Sequence, residues 1–454
     1  MQLSESTIAS WQQARASRDK RYDGQFFVAV KTTGIFCRPI CPARLPKEQN
    51  VLYFHLAQQA IQNGYRPCLR CRPESAPGSW RWKGTDTTLE RAMQILCTEL
   101  ATPLESLSDR LGVTSRYLRK LFQNKVGCSP KTYQLSECLM FAKQLLHETQ
   151  LPIEQIAIAS GFNAARGLQY HLKQVTGLTP SQIRSNKQVP STQLNLFLSY
   201  RPPYDWQHFS AFLKQRRIES IEQCDASSYS RSFKLNDAYG QFKANWLPER
   251  QGFKIELKIS QINQLKAVIE NIKRIFDLDA NTCIIAQQLQ RAGLTDSQIS
   301  HGLRLPGIWD QYEAGCRAIL GQQVSVKAAI GVLNTLVEQL GYKKDSLIFF
   351  PEPDAVANSD LAFLRMPQSR KQALRDFSHL YAAKANPTAQ DWLAIKGIGP
   401  WTADYIKMRG MSEPDVGLSK DLIIKQQLQA HPDIDPDKAR PCRSYLNLQL
   451  WNNA

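Results

Sequence analysis

Two stretches about fifty residues apart repeat one apolar pattern. TPLESLSDRL (102–111) and LPIEQIAIAS (151–160) space their apolar residues as one face of a helix. Each leads to a glycine, Gly112 or Gly161, and then to a second amphipathic stretch, SRYLRKLFQNK (115–125) or AARGLQYHLKQ (164–174), which a Ser, Thr or Asn N-cap is expected to open. Gly127-Cys-Ser-Pro130 likewise recurs as Gly177-Leu-Thr-Pro180. The repeat predicts two helix-turn-helix units in series. Further on, LNLFLSY, RSFKLND, YGQFKANWL and FKIELKIS alternate with the period of strands, and from Gln261 helical spacing takes over, with Pro306, Pro351 and Pro400 expected to break helices. ESAPGSWRWKG (74–84) and RSNKQVPSTQ (184–193) read as linkers. The expected fold class is multidomain α+β, divided at about 1–80, 85–187, 193–300 and 301–454.

Composition narrows the function. A chain of 454 residues exceeds one ordinary core, and 43% apolar with 21% charged residues predicts folded domains throughout. No stretch reads as a bilayer span, and the start, MQLSESTIASWQQ, lacks a basic lead followed by an apolar run, so a cytoplasmic protein with no membrane partner is expected. The net charge of +17 and pI of about 9.4 favour a polyanion, with nucleic acid ahead of an anionic membrane surface. The surplus is uneven: +6 in residues 1–80, +6 in 81–190, +3 in 191–300 and +2 beyond. Eleven cysteines without a signal peptide argue against a disulfide framework.

Four of those cysteines are grouped. Cys37-x3-Cys41 and Cys68-x2-Cys71 have the spacing of a site for one Zn2+, since each pair can bite one metal and four soft ligands complete a tetrahedron. Spacing does not separate a structural zinc from one that activates a ligand. FVAVKTTGIFCRPICPAR and GYRPCLRCRP closely resemble the N-terminal domain of the Ada family, sensors and repair factors for methylated DNA, over roughly residues 10–75. The resemblance implies that Cys37, besides ligating zinc with Cys41, Cys68 and Cys71, accepts a methyl group from a DNA methylphosphotriester as a thiolate. Alkylation would remove one of two formal negative charges from the site and raise its affinity for DNA. Arg38, Arg44 and Arg70 are candidate phosphate contacts.

The paired units, most plainly IAIASGFNAARGLQYHLKQVTGLTPSQIR, resemble the AraC-type DNA-binding domain over about residues 85–185. The resemblance places two recognition helices in successive major grooves of double-stranded DNA, exposing Arg116, Tyr117, Arg119 and Lys120 on the first and Asn163, Arg166, Gln169 and Lys173 on the second. Tyr117 could equally be core. Joined to an Ada-type sensor, the resemblance implies a methylation-dependent transcriptional activator, for which RNA polymerase is a candidate partner. No Pro-Cys-His-Arg motif occurs, so repair of O6-alkylguanine is not expected.

LAIKGIGPWTADYIKMRG (393–410) puts Gly397-Ile-Gly399 in a tight turn before a helix, whose N–H groups could cradle a phosphate. Asp421 follows in VGLSKDLIIKQ. Together with LRLPGIWDQYEAGCRAILGQQVSVKAA and SYRPPYDWQHFSAFL, these resemble the AlkA-type 3-methyladenine DNA glycosylases of the helix-hairpin-helix superfamily, over about residues 195–451. The full expectation is a small zinc-bound α/β domain, an all-helical double helix-turn-helix domain, then a mixed α/β subdomain with an all-helical helix-hairpin-helix glycosylase domain. By resemblance Asp421 is the catalytic carboxylate, Trp401 and Tyr405 line the base pocket, and Gln323 fills the emptied stack. Trp401 occupies the place of a lyase's lysine, implying a monofunctional enzyme with Lys396 and Lys420 nearby. Cys442 and Leu422 depart from the family's aromatic positions. The rival reading is a transcription factor whose last part only binds DNA.

Overall fold

The short alternating runs FVAV and VLYF become paired strands in the computed structural model, which describes residues 5–76, 87–184, 194–384 and 386–453. Apart from residues 74–76 and 184, both expected linkers lie outside the described residues. Contacts divide the chain into two units, Met1–Pro202 with Leu247–Glu270 and Leu278–Asn281, and Pro203–Trp246 with Asn271–Asp277 and Thr282–Ala454. No helix among the described residues is long and apolar enough to cross a membrane.

The first unit starts with a four-stranded sheet in the order Val51–Phe54, Phe27–Val30, Ile35–Cys37, Arg66–Pro67, the last strand joining in parallel. Helix Glu5–Ala16 covers it through Trp11, which stacks on Phe26 at 4.7 Å. The repeat then folds as its pattern requires. Leu107, Leu118 and Phe122 of the first half, and Ile156, Leu168 and Leu172 of the second, are fully buried. Helices Leu104–Leu111 and Ser115–Lys125 form one pair, and Ile153–Ala159 and Ala165–Thr176 the other. A β-carbon on Gly161 would lie 2.9 Å from that of Leu100, so only glycine permits that approach.

The recurring Ser-Pro and Thr-Pro are helix starts: Ser129 accepts from the Thr132 N–H and Thr179 from that of Gln182, each with proline in the first turn. One expectation is corrected. Thr114 caps the first recognition helix through its hydroxyl, but the second opens at Ala164, one residue past Asn163, where no side-chain acceptor exists. Helix Pro130–Glu148, between the two pairs, buries thirteen of its nineteen residues and so forms the axis of this part. Strands Leu194–Ser199 and Gly252–Ile259 complete the unit as an antiparallel pair.

In the second unit, strands Glu222–Cys224, Ser228–Leu235 and Ala238–Leu247 form an antiparallel meander. Trp206, Phe209, Tyr229, Phe242 and Phe276 interlock beside it. Helices follow from Thr282 onward, around a core that includes Leu333, Leu374, Phe377, Trp392 and Ile406. A hairpin that helical spacing did not anticipate, Tyr342–Lys344 with Leu347–Phe349, interrupts them. Asp345 and Ser346 both take positive φ (49° and 64°), the geometry that a two-residue hairpin turn demands.

Four charges, three of them buried and Arg317 nearly so, join the meander to helix Gln311–Leu320. Arg231 reaches Glu222 (3.4 Å) and Glu313 (2.8 Å), and Arg317 reaches the same two carboxylates (2.9 and 2.8 Å). Tyr229 and the Ile218 N–H add donors to Glu222, each at 2.7 Å. Burial works against the Glu222 charge, but Arg317 and Arg231 outweigh it and hold the carboxyl below its ordinary range. That stabilisation is present above the ordinary glutamate pKa and is lost as pH falls through the lowered value. Glu313→Ala leaves two buried guanidinium groups with one carboxylate, and urea titration of the variant should show a loss of about 3–5 kcal/mol.

Candidate functional site

Strand pairing gathers the cysteines. Ile35 and Phe36 pair in parallel with Arg66 and Pro67, so Cys37 and Cys68 emerge side by side from adjacent strands. The Cys68 N–H donates to the Phe36 carbonyl at 3.0 Å, and that of Cys41 to the Arg38 carbonyl at 3.2 Å, folding each short loop back. All four sulfurs lie within 4.8 Å of one another; Cys41, Cys68 and Cys71 are buried, and Cys37 is half-buried. The Arg38 N–H points at the Cys71 sulfur (3.4 Å). Four soft donors converging from two hydrogen-bonded loops fit a tetrahedral zinc.

The three arginines separate. Arg44 and Arg70 are exposed, as a phosphate contact needs. Arg38 is buried: its guanidinium forms an ion pair with Asp23 and donates to the Cys71 carbonyl at 3.3 Å. Its expected role against DNA is therefore corrected, because both faces of the guanidinium fork are already occupied inside the domain.

On the paired helices, Arg116, Arg119 and Lys120 are exposed, as are Arg166, Gln169 and Lys173, each opposite a buried apolar stripe, and Asn163 is exposed just before the second helix. Tyr117 is 51% exposed, which removes it from the core. Tyr170, 61% exposed beside Gln169, was not singled out in the sequence. Its signal was there, since apolar Leu168 and Leu172 fix the buried face and leave position 170 outside.

In the second unit, Gly397 takes φ +97°, and Gly399 caps helix Pro400–Tyr405. Gln322 ties this turn to the preceding loop, donating to the Gly397 carbonyl (3.0 Å) and the Thr402 hydroxyl (3.1 Å). Gln323 beside it is exposed and left-handed, φ +56°, between helices Gln311–Leu320 and Val326–Leu340. The structure brings Trp401, Tyr405 and Asp421 together. Trp401 stacks on Tyr405 at 5.3 Å, and its indole N–H donates to Asp421 Oδ2 at 3.1 Å.

Asp421 Oδ1 accepts from the Trp451 indole at 3.1 Å and from the N–H groups of Ile423 (3.1 Å) and Ile424 (3.2 Å), for it caps helix Leu422–Ala430. Sequence reasoning missed Trp451, thirty residues away, and also Arg409, whose guanidinium reaches the Tyr405 hydroxyl at 3.3 Å. Burial lowers Arg409 to about 10. Lys396 and Lys420 are exposed, and Leu422 is 70% exposed. Cys442 is fully buried, and burial pushes its thiol up to about 12.

A thiol metal centre, two exposed recognition helices and a carboxylate beside a glycine hairpin define a modular DNA-acting protein. Comparison with known families agrees module by module: residues 10–74 match the metal binding domain of Ada, 107–186 a helix-turn-helix domain, and 195–310 the AlkA N-terminal domain. The probable bifunctional transcriptional activator/DNA repair enzyme AlkA of Mycobacterium tuberculosis is 30% identical over 96% of this chain and 94% of its own. DNA-3-methyladenine glycosylase 2 of Escherichia coli is 32% identical over 56% of this chain and 95% of its own. The bifunctional transcriptional activator/DNA repair enzyme Ada of the same species is 33% identical over 38% of this chain and 48% of its own. The chain belongs to the family of bifunctional transcriptional activators and DNA repair enzymes that joins these modules. Its four clustered cysteines hold one structural zinc ion. Metal analysis should find one zinc per chain in the native protein and close to none in Cys68→Ala.

Proposed function

We propose that this chain both senses and repairs alkylated DNA, as a monofunctional glycosylase for alkylated purines, an acceptor of methyl groups from DNA methylphosphotriesters, and a transcriptional activator. The observation that carries the excision reading is the Asp421 carboxylate, held by two indoles and a helix N-terminus one stretch beyond a glycine hairpin. An N3- or N7-alkylated purine is already cationic, so its glycosidic bond breaks with little acid help. The difficulty lies in the oxocarbenium-like sugar, and a fixed carboxylate stabilises that charge without reorganising. Trp401 and Tyr405, stacked and half-exposed, offer π faces to a flipped cationic base. The Gly397–Gly399 turn would receive a phosphate on its N–H groups, and Gln323, exposed on the adjacent loop, would fill the gap left in the duplex.

For methyl transfer, Cys37 is the one zinc ligand that is not buried. Bound zinc supplies the positive charge that keeps Cys37 a thiolate at neutral pH. The sulfur donates its electron pair to the methyl carbon to form the new carbon–sulfur bond, the carbon–oxygen bond breaks, and the phosphodiester oxygen leaves with the electrons of the broken bond. The thioether formed is stable, so each molecule reacts once. Loss of one negative charge then favours the backbone, with Arg44 and Arg70 at the zinc module and Arg116, Arg119, Lys120, Arg166 and Lys173 on the recognition helices. RNA polymerase would be the partner that reads the bound state.

Three measurements test this. Asp421→Asn should release 3-methyladenine from methylated DNA at least about 100-fold more slowly, and parental rates would refute its role. Trp451→Phe, which keeps the ring and loses one donor to the carboxylate, should cost about tenfold. After exposure to methylphosphotriester DNA, mass spectrometry should find one added methyl on Cys37 and none in Cys37→Ser, and borohydride should trap no covalent adduct with DNA.

A further inference from the structure

Two buried paths run from the cysteine loops to strand Leu194–Ser199, both within the first unit. The first passes through Asp23. Its carboxylate holds Arg38, whose Nε donates at 2.8 Å, and its main-chain carbonyl accepts from Arg201 Nε at 2.7 Å. Arg201 follows the strand by two residues and is fully buried; its other end donates to the Asp279 carbonyl. The second path uses helix Pro130–Glu148. Lys143 Nζ lies 2.5 and 2.6 Å from the two carboxylate oxygens of Glu74 and 3.4 Å from the Cys68 carbonyl, with both side chains 1% exposed. Five residues on, Glu148 accepts the Phe197 N–H of the strand at 3.0 Å. Met140 of the same helix joins Phe27, Phe36 and Ala60 in one apolar cluster under the sensor sheet.

Charges buried this fully have no water to fall back on, so each holds its geometry only while its partner stays in place. A tethered sensor would need none of them. We infer that the zinc sensor is a structural partner of the strand pair Leu194–Ser199 and Gly252–Ile259, the first part of the glycosylase half, and that ordering of the cysteine loops supports this pair through Asp23–Arg201 and Lys143–Glu148. The inference is independent of the excision chemistry and holds whether or not Asp421 is catalytic.

Hydrogen exchange of the full chain, read by mass spectrometry, tests it. Stripping zinc with a chelator should speed exchange by about tenfold or more in residues 194–199 and 252–259 together with the sensor strands 27–30 and 51–54. Helices 311–320 and 326–340 of the second unit serve as the internal reference and should change far less. Loss of protection confined to the sensor would overturn the inference. Should the stripped protein aggregate, Asp23→Ala with zinc bound decides instead: exchange at residues 194–199 should rise about threefold or more, and an unchanged rate there would overturn it equally. Asp23→Asn, which keeps an acceptor for Arg38, should restore most of the protection.

Discussion

The second unit depends on the pairing of four charges in its interior. The Glu222 and Glu313 carboxyl groups are accommodated inside the protein because Arg231 and Arg317 pair with both of them, and the arginines are tolerated for the same reason. That mutual requirement fixes helix Gln311–Leu320 against the meander. The helix leads into Gln322, and Gln322 grips the Gly397 carbonyl and the Thr402 hydroxyl. The hairpin so held starts the helix that carries Trp401, and Trp401 orients Asp421. Arg317 also donates to the Arg216 carbonyl at 2.6 Å, fixing the backbone where the first helix of this half ends. Electrostatic demand in the core thus reaches the Asp421 carboxylate through a short sequence of single hydrogen bonds.

What could be read in the chain follows from how local each determinant is. The paired helices were legible because Leu107, Leu118 and Phe122 recur as Ile156, Leu168 and Leu172 at a nearly constant offset, and burial obeys helical period. The cysteines were legible because two short spacings suffice to define four ligands. Arg38 was misread because the residue that neutralises it, Asp23, lies on another element, and nothing beside Arg38 records the pairing. Trp451 escaped for the same reason. The Tyr342–Phe349 hairpin escaped because its strands have three residues each and its turn uses Asp-Ser rather than a glycine-containing pair. Asp421 itself came from resemblance; its four donors came only from the fold.

The uneven charge also gains a physical sense. Of the +17, twelve sit in the first 190 residues, where exposed Arg and Lys line the recognition helices and flank the cysteines. The remainder carries little surplus. Its arginines at 231 and 409 are buried among carboxylates, carbonyls and rings, and Arg317 is turned inward to the same carboxylates. Long-range attraction and close-range chemistry are thereby assigned to different stretches of one chain.

The burial of the cysteines carries a final consequence. Nine of the eleven are buried, leaving Cys37 and Cys283 half-open. A sulfur left partly open is not screened from small oxidants by shape, because any macromolecule would be shut out by a narrower opening long before peroxide was. Protection must come from electronic character instead of shape: a metal-held thiolate is a milder nucleophile than a free one, slow toward most encounters and fast only where a good leaving group sits in line. Shape therefore offers Cys37 no defence against the higher stages of sulfur oxidation, from which the thiol is not recovered.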